Sequence, residues 1–175
     1  MKIILLMVMS TDGIIAKKAD QNSYTWNSRE DKEHFVKLTR EIGVIVMGSN
    51  TYKASGRKSY KERITYVLTR NPLELDMGED VFAINGTPQA IAAQLREKGH
   101  DKVALLGGAK VNRDFLLAGL VDELYLTIEP KLFGKGLHLF EEEEVDIGLK
   151  LISHRRLNDQ GTLLLHYGIK YGSDA

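Results

Sequence analysis

The chain has 175 residues, 43% of them hydrophobic, enough for one compact domain over residues 1–175 with a substantial core. Its 24 basic and 24 acidic residues balance, so no general electrostatic pull toward nucleic acid or membrane is expected. The absence of cysteine excludes disulfides, thiolate catalysis and zinc–thiolate sites, and suits a reducing cytoplasm.

Ile3 to Met9 is nearly continuous in apolar residues, as a strand covered on both faces would be. It is short, with one lysine before it and no small-residue cleavage site after it, so it reads as a strand and not as a signal peptide. No stretch approaches the length of a membrane span. Ser10-Thr11-Asp12-Gly13 ends the strand and Ile14-Ile15-Ala16 follows. Residues 17–25 are polar and are expected to form a mobile loop. After Trp26 a helix begins, with Asn27 and Glu30, or Ser28 and Asp31, as the capping box. Phe35, Leu38 and Ile42 make its apolar stripe. Asp31 lies one turn before Phe35 on that same stripe. Gly43 stops the helix, Val44 to Met47 is a buried strand, and Gly48-Ser49-Asn50-Thr51 opens a second, short helix. Ile64 to Thr69 is a strand broken by Arg70-Asn71-Pro72, and Val81 to Ile84 is another. Pro88 starts a helix through Leu95 that Gly99 ends. Lys102 to Leu106 is a strand, Gly107-Gly108 a tight turn, and Val111, Phe115, Leu116 and Leu120 one face of the helix that follows. The stretch from Val121 to Glu129 comes next, then an irregular glycine-rich turn over 132–137 and a solvated acidic run, Glu141 to Glu144. Residues 149–157 and 162–171, joined by Asn158-Asp159-Gln160-Gly161, read as a closing antiparallel hairpin. The expected fold is α/β: one mixed, mostly parallel sheet of roughly eight strands, flanking helices and a C-terminal antiparallel hairpin.

Three loops stand at the carboxyl ends of the expected parallel strands, where ligands bind in open α/β sheets: Gly48-Ser49-Asn50-Thr51, Thr69-Arg70, and Gly107-Gly108 leading into Ala109. The glycines admit positive φ and close approach of a ligand, and the helix starts after them suit phosphate. A glycine pair alone is equally a plain strand-to-helix turn. Together the loops would suit a pyrophosphate with an extra phosphate. The usual dinucleotide fingerprint, the lysine-bearing phosphate loop and a nucleophile-elbow serine are missing, and the five histidines lack metal-ligand spacing. A redox cofactor fits better than hydrolysis. Asp31 is the catalytic candidate, because a carboxyl on an apolar stripe has its pKa raised by desolvation and can relay a proton. It is also the third residue of a helix, a position where a carboxylate merely caps.

Trp26-Asn27-(x)3-Asp31-(x)3-Phe35-(x)3-Thr39, Val46-Met47-Gly48-(x)2-Thr51-Tyr52, Gly107-Gly108 and Leu124-Tyr125-Leu126-Thr127 resemble the dihydrofolate reductase family in order and spacing. The resemblance implies a dihydrofolate reductase-like fold and NADPH as hydride donor. Asp31 would bind the pterin and support its protonation, Phe35 would pack on the substrate, and Thr127 would sit beneath the carboxylate. Arg63 would grip a glutamate carboxylate. Gly48, Ser49, Thr51, Thr69, Gly107, Gly108 and Ala109 would hold the cofactor, and Arg70 would select its 2′-phosphate. The implied substrate is a small molecule, dihydrofolate first. Ser10-x-Asp12-Gly13-x-Ile15-Ala16 and Pro130-x-Leu132-x-Gly134-x-Gly136-x2-Leu139-Phe140 are more similar to the reductase domain of riboflavin biosynthesis, which shares the fold and NADPH but reduces a phosphoribosylamino-pyrimidine. Lys32 stands where a folate pocket has an apolar residue. An Asp31–Lys32 ion pair would suit a third reading, a module that binds NADPH without turnover. A cytoplasmic monomer or homodimer is expected, without nucleic-acid or membrane partners.

Overall fold

The apolar run near the start of the chain becomes the central strand β1 (Lys2–Ser10) in the computed structural model of the protein, which describes residues 1–18, 20–141 and 143–172. Both faces of β1 are covered, which is why its sequence does not alternate. It lies between β6 (Lys102–Leu105) and β7 (Glu123–Glu129), parallel to each, with Leu5 beside Leu105 and Leu124. β3 (Val44–Gly48), β4 (Ile64–Leu68) and β5 (Val81–Ile84) extend the parallel part beyond β6. β10 (Leu163–Lys170) pairs antiparallel with β7, and β9 (Gly148–Arg156) closes that edge, exposed along its whole length. The order β5-β4-β3-β6-β1-β7-β10-β9 is the eight-stranded mixed sheet expected from the sequence.

Helix α1 (Arg29–Ile42) covers one face, setting Phe35, Leu38 and Ile42 against Ile4, Leu6, Ile45 and Met47. The short helix α2 (Ser49–Ser55) contributes Tyr52 to the same side. Helices α3 (Pro88–Glu97) and α4 (Ala109–Leu117) cover the other face, where Ile91, Leu95, Phe115 and Leu116 meet Ile3, Leu5, Val46 and Leu105. Of the two possible capping boxes, Ser28 is the one used: its hydroxyl accepts the Asp31 backbone N–H, and Gly43 ends α1 at φ 80°. Thr87 caps α3, which runs two residues past Leu95.

Two local expectations are corrected. The glycine-rich stretch is not wholly irregular, because β8 (Leu137–His138) pairs antiparallel with β2 (Ile14–Ala16). A two-residue partner is too short to show alternation. Gly136 sits where any side chain would run into the Ala16 carbonyl. The second half of the polar loop is also docked. Ser23–Thr25 forms a 3-10 turn capped by Asn22, whose amide donates to the Ser55 carbonyl at 3.2 Å. Ala19 of that loop, Glu142 of the acidic run and residues 173–175 lie outside the described residues.

Asp12 fastens the turn after β1 to the approach to β8, accepting from Ser10 Oγ and from the backbone N–H groups of Phe133 and Gly134. Those bonds, the Ser10 one foremost, hold its pKa down at about 2. Trp26 packs edge-on against Phe133 at 5.1 Å, so the loop before α1 rests on the same turn. Among the described residues no helix is long and apolar enough to cross a membrane.

Candidate active site

The carboxyl ends of β3, β4 and β6 are neighbours in the sheet, and a cleft of about 970 Å³ opens over them and across β1 to β7 and α1. A volume of that size suits a cofactor and a substrate side by side. Of the twelve residues singled out from the sequence, ten line it: Asp31, Phe35, Gly48, Ser49, Thr51, Thr69, Arg70, Gly108, Ala109 and Thr127.

One end is made mainly of backbone. Gly48 and Gly108 are the N-caps of α2 and α4, and neither cap position places a side chain on the first N–H groups of its helix. The Gly48 N–H donates to the Gly107 carbonyl at 2.8 Å, locking the two turns together. Gly107 therefore stands behind the lining, at φ 84°, with the Asn112 side chain 3.2 Å from where a Cβ would be. A Cβ on Gly108 would lie 3.3 Å from Thr51 Oγ1, closing the gap between the helix starts. Arg70 is exposed at the rim beside Thr69. Free N–H groups, positive helix ends and a guanidinium fit a ligand rich in phosphate.

The other end is made of side chains. Asp31 is 5% exposed and accepts a hydrogen bond from Asn27 Nδ2. Burial pushes its carboxyl above the ordinary value, opposed by the Thr127 and Asn27 side chains and reinforced by the negative charge of Glu129. The cap and the proton relay are thus compatible roles: the backbone N–H of Asp31 serves Ser28 while the carboxyl faces the cleft. Lys32 does not neutralise it in a contact pair. Its ammonium lies 5.8 Å from the centre of the Tyr24 ring, and Lys32 is not part of the lining. Tyr24 meets Phe35 edge-on at 5.9 Å. His34, one turn beyond Asp31, approaches Tyr125 at 5.8 Å, and burial lowers its pKa toward the neutral imidazole.

Arg63 is not among the lining residues. It is 8% exposed, donates to Thr39 Oγ1 at 2.8 Å and to the Lys61 carbonyl at 3.0 Å, and lies over the Tyr60 ring. The guanidinium on the cleft wall is that of Arg57, placed over both Tyr24 and Tyr60. Arg57, Tyr60 and His34 carried no motif of their own. Buried Glu129 had one: Tyr125, Thr127 and Glu129 alternate along β7, so all three share the face toward α1.

A family model described as the RibD C-terminal domain matches residues 1–163. The chain belongs to the RibD C-terminal domain family. It is 26% identical over 173 residues to the uncharacterized protein YwjB of Bacillus subtilis, covering 95% of this chain and 97% of that protein. Among solved structures, a protein from Shewanella sp. PV-4 assigned provisionally to riboflavin biosynthesis superposes with a TM-score of 0.82 at 28% identity, covering 98% of this chain and all of its own. A dihydrofolate reductase from Enterococcus faecalis, solved with NADP(H), superposes with a TM-score of 0.70 at 20% identity, covering 97% of each chain. The fold of this RibD-family chain is therefore dihydrofolate reductase-like, and its cleft lies between the glycine turns and the Asp31 carboxyl.

Proposed function

We propose that this RibD-family chain is an NADPH-dependent reductase of a pterin-type ring, with dihydrofolate the first substrate to be tested. The observation that carries this reading is the buried Asp31 carboxyl in the cleft wall, its pKa raised and its partners amide and hydroxyl groups. A desolvated carboxyl of this kind hydrogen-bonds a fused, amino-substituted heterocycle and holds a proton for it. NADPH, when bound, supplies the hydride. Gly48, Ser49, Thr51, Thr69, Gly108 and Ala109 would hold its phosphates and Arg70 its 2′-phosphate, with Gly107 fixing the turn behind them. Phe35 and Tyr24 offer aromatic faces for the substrate ring, Thr127 orients the carboxyl, and burial between α1 and β7 limits the access of water to Asp31. Arg57 at the cleft wall, with Arg63 behind Tyr60, supplies positive charge for an anionic tail.

A second reading is supported by family membership and by the likeness to the Shewanella protein: reduction of the riboflavin-pathway phosphoribosylamino-pyrimidine, whose phosphate would take the place of a glutamate tail. The two readings share the cofactor and differ at Asp31 and Arg57. The deciding experiment is kcat/KM for NADPH oxidation with each substrate in parallel. A clear preference for dihydrofolate is the expected result, and a preference for the pyrimidine transfers the assignment to the second reading.

A further inference from the structure

Glu129 is 2% exposed, and the reaction proposed above gives it no step. Its Oε1 accepts the Ser28 backbone N–H at 2.7 Å, and Ser28 Oγ in turn accepts the N–H of Asp31 at 3.3 Å. Its Oε2 accepts from Thr162 Oγ1 at 2.8 Å. The Thr162 hydroxyl already accepts from Asn158 Nδ2 at 3.0 Å, so its single proton is the one directed at Glu129. Glu129 is therefore an acceptor at both oxygens, the pattern of an ionised carboxylate. Asn158 Nδ2 also reaches Glu30 Oε2 at 3.1 Å, so the turn before β10 holds the first turn of α1 at a second point.

Three elements meet on this carboxylate: the N-cap of α1, strand β7 and the turn over residues 158–162. Asp31 belongs to the first, and Thr127, which touches it, to the second. The gap between them is set by what joins α1 to β7 at that end. Among charged groups, Glu129 acts on Asp31 from β7 and Lys32 from its own helix.

We propose that Glu129 is a positioning residue for Asp31: its buried carboxylate bolts the start of α1 to β7 and to the hairpin turn, and sets a negative charge behind the helix start that carries Asp31. The proposal rests on the reading of Asp31 as the proton-bearing group, but its test is made on the protein alone. The Asp31 carboxyl is titrated by carbon NMR in the parent and in Glu129→Gln, with Asp31→Asn to assign the signal. The glutamine keeps an acceptor for Ser28 and removes the charge, so the Asp31 midpoint moves to lower pH. An unmoved midpoint in a folded Glu129→Gln protein overturns the proposal, whether or not any substrate is turned over. Should that variant not fold, Glu129→Asp keeps the charge but shortens the reach. The Ser28 amide should then exchange with solvent about tenfold faster, as loss of one hydrogen bond implies. Unchanged exchange at Ser28 in Glu129→Asp equally overturns it. If reductase activity is absent while the Asp31 midpoint moves as described, the functional reading fails and the positioning role stands.

Discussion

The two ends of the cleft are built from different material. The glycine-turn end consists of backbone, with two glycine N-caps, the N–H groups they leave open and a hydrogen bond between the turns. The carboxylate end consists of side chains drawn from distant parts of the chain. Ser28 and Glu129 are 101 residues apart in sequence, and Glu129 and Thr162 are 33 apart. A backbone site tolerates most changes around it but not the addition of a Cβ at its glycines. A side-chain site can be abolished by exchanging a single oxygen for a nitrogen.

The sharpest way to exploit that contrast is Asp31→Asn, which keeps size and the cap geometry while removing the titratable proton. Turnover is expected to fall by about 10²–10⁴ with NADPH affinity near normal, measured by steady-state kinetics beside cofactor titration. The loss should shrink at acidic pH, where solvent protonates the substrate. The same substitution carries a stability signature. Because the folded-state pKa of Asp31 is raised, the folded protein binds more protons than the unfolded chain between the ordinary carboxylate value and the raised one. Stability from this group therefore falls as pH rises through that window. Thermal melts of Asp31→Asn should lack that decline.

Gly108→Val attacks the other end. Its Cβ would stand 3.3 Å from Thr51 Oγ1, and the branches beyond it would fill the gap between the two helix starts, where the cofactor phosphates are proposed to lie. NADPH affinity should fall by more than about tenfold, equivalent to roughly 1.4 kcal/mol. A folded Gly108→Val protein that titrates normally with NADPH would remove this turn from the site.

The contrast also accounts for what could be read in the sequence. Glycine-marked turns, the capped start of α1 and the apolar strands are local signals, so the fold and the position of the glycine turns at one end of the cleft are readable from Gly48, Gly108 and Ser28. The expected lining residues gather on one cleft because the carboxyl ends of neighbouring parallel strands must lie side by side. The network around Asp31 was less accessible, since nothing near Asp31 in sequence announces Glu129 or Thr162. The alternation of Tyr125, Thr127 and Glu129 along β7 puts a carboxylate on the α1 face, but a single Glu on a strand carries no chemistry until a helix N-cap is found opposite it. Arg63 and Arg57 sit six residues apart in a loop of low periodicity, where spacing alone cannot say which guanidinium reaches the cleft. β8 was too short to register.

Two smaller effects refine the comparison. If Arg70 pairs with the 2′-phosphate as proposed, Arg70→Ala should weaken NADPH binding about tenfold and leave NADH nearly unchanged, as loss of a paired, charge-assisted contact implies. Equal losses for both cofactors would assign Arg70 a general structural role. The least effect is expected from Asp12→Asn, which loosens the turn at Phe133 and Gly134. The Asp12 pKa is depressed to about 2, so its contribution is present above the ordinary carboxylate value of 3.8 and is lost as pH falls toward 2. Fluorescence of Trp26, which rests on Phe133, followed from neutral to acid pH, should show this transition in the parent and not in the variant.

The central claim is that the two ends of the cleft work on one pair of molecules, a reduced nicotinamide cofactor and a ring protonated beside Asp31. It is tested most directly by adding dihydrofolate to the protein with NADPH bound, then measuring NADPH consumed and tetrahydrofolate formed in one sample. The account predicts equal amounts of each, over many turnovers. NADPH that binds tightly but is not consumed, with dihydrofolate or with the pyrimidine, would contradict it and leave a cofactor-binding module in its place.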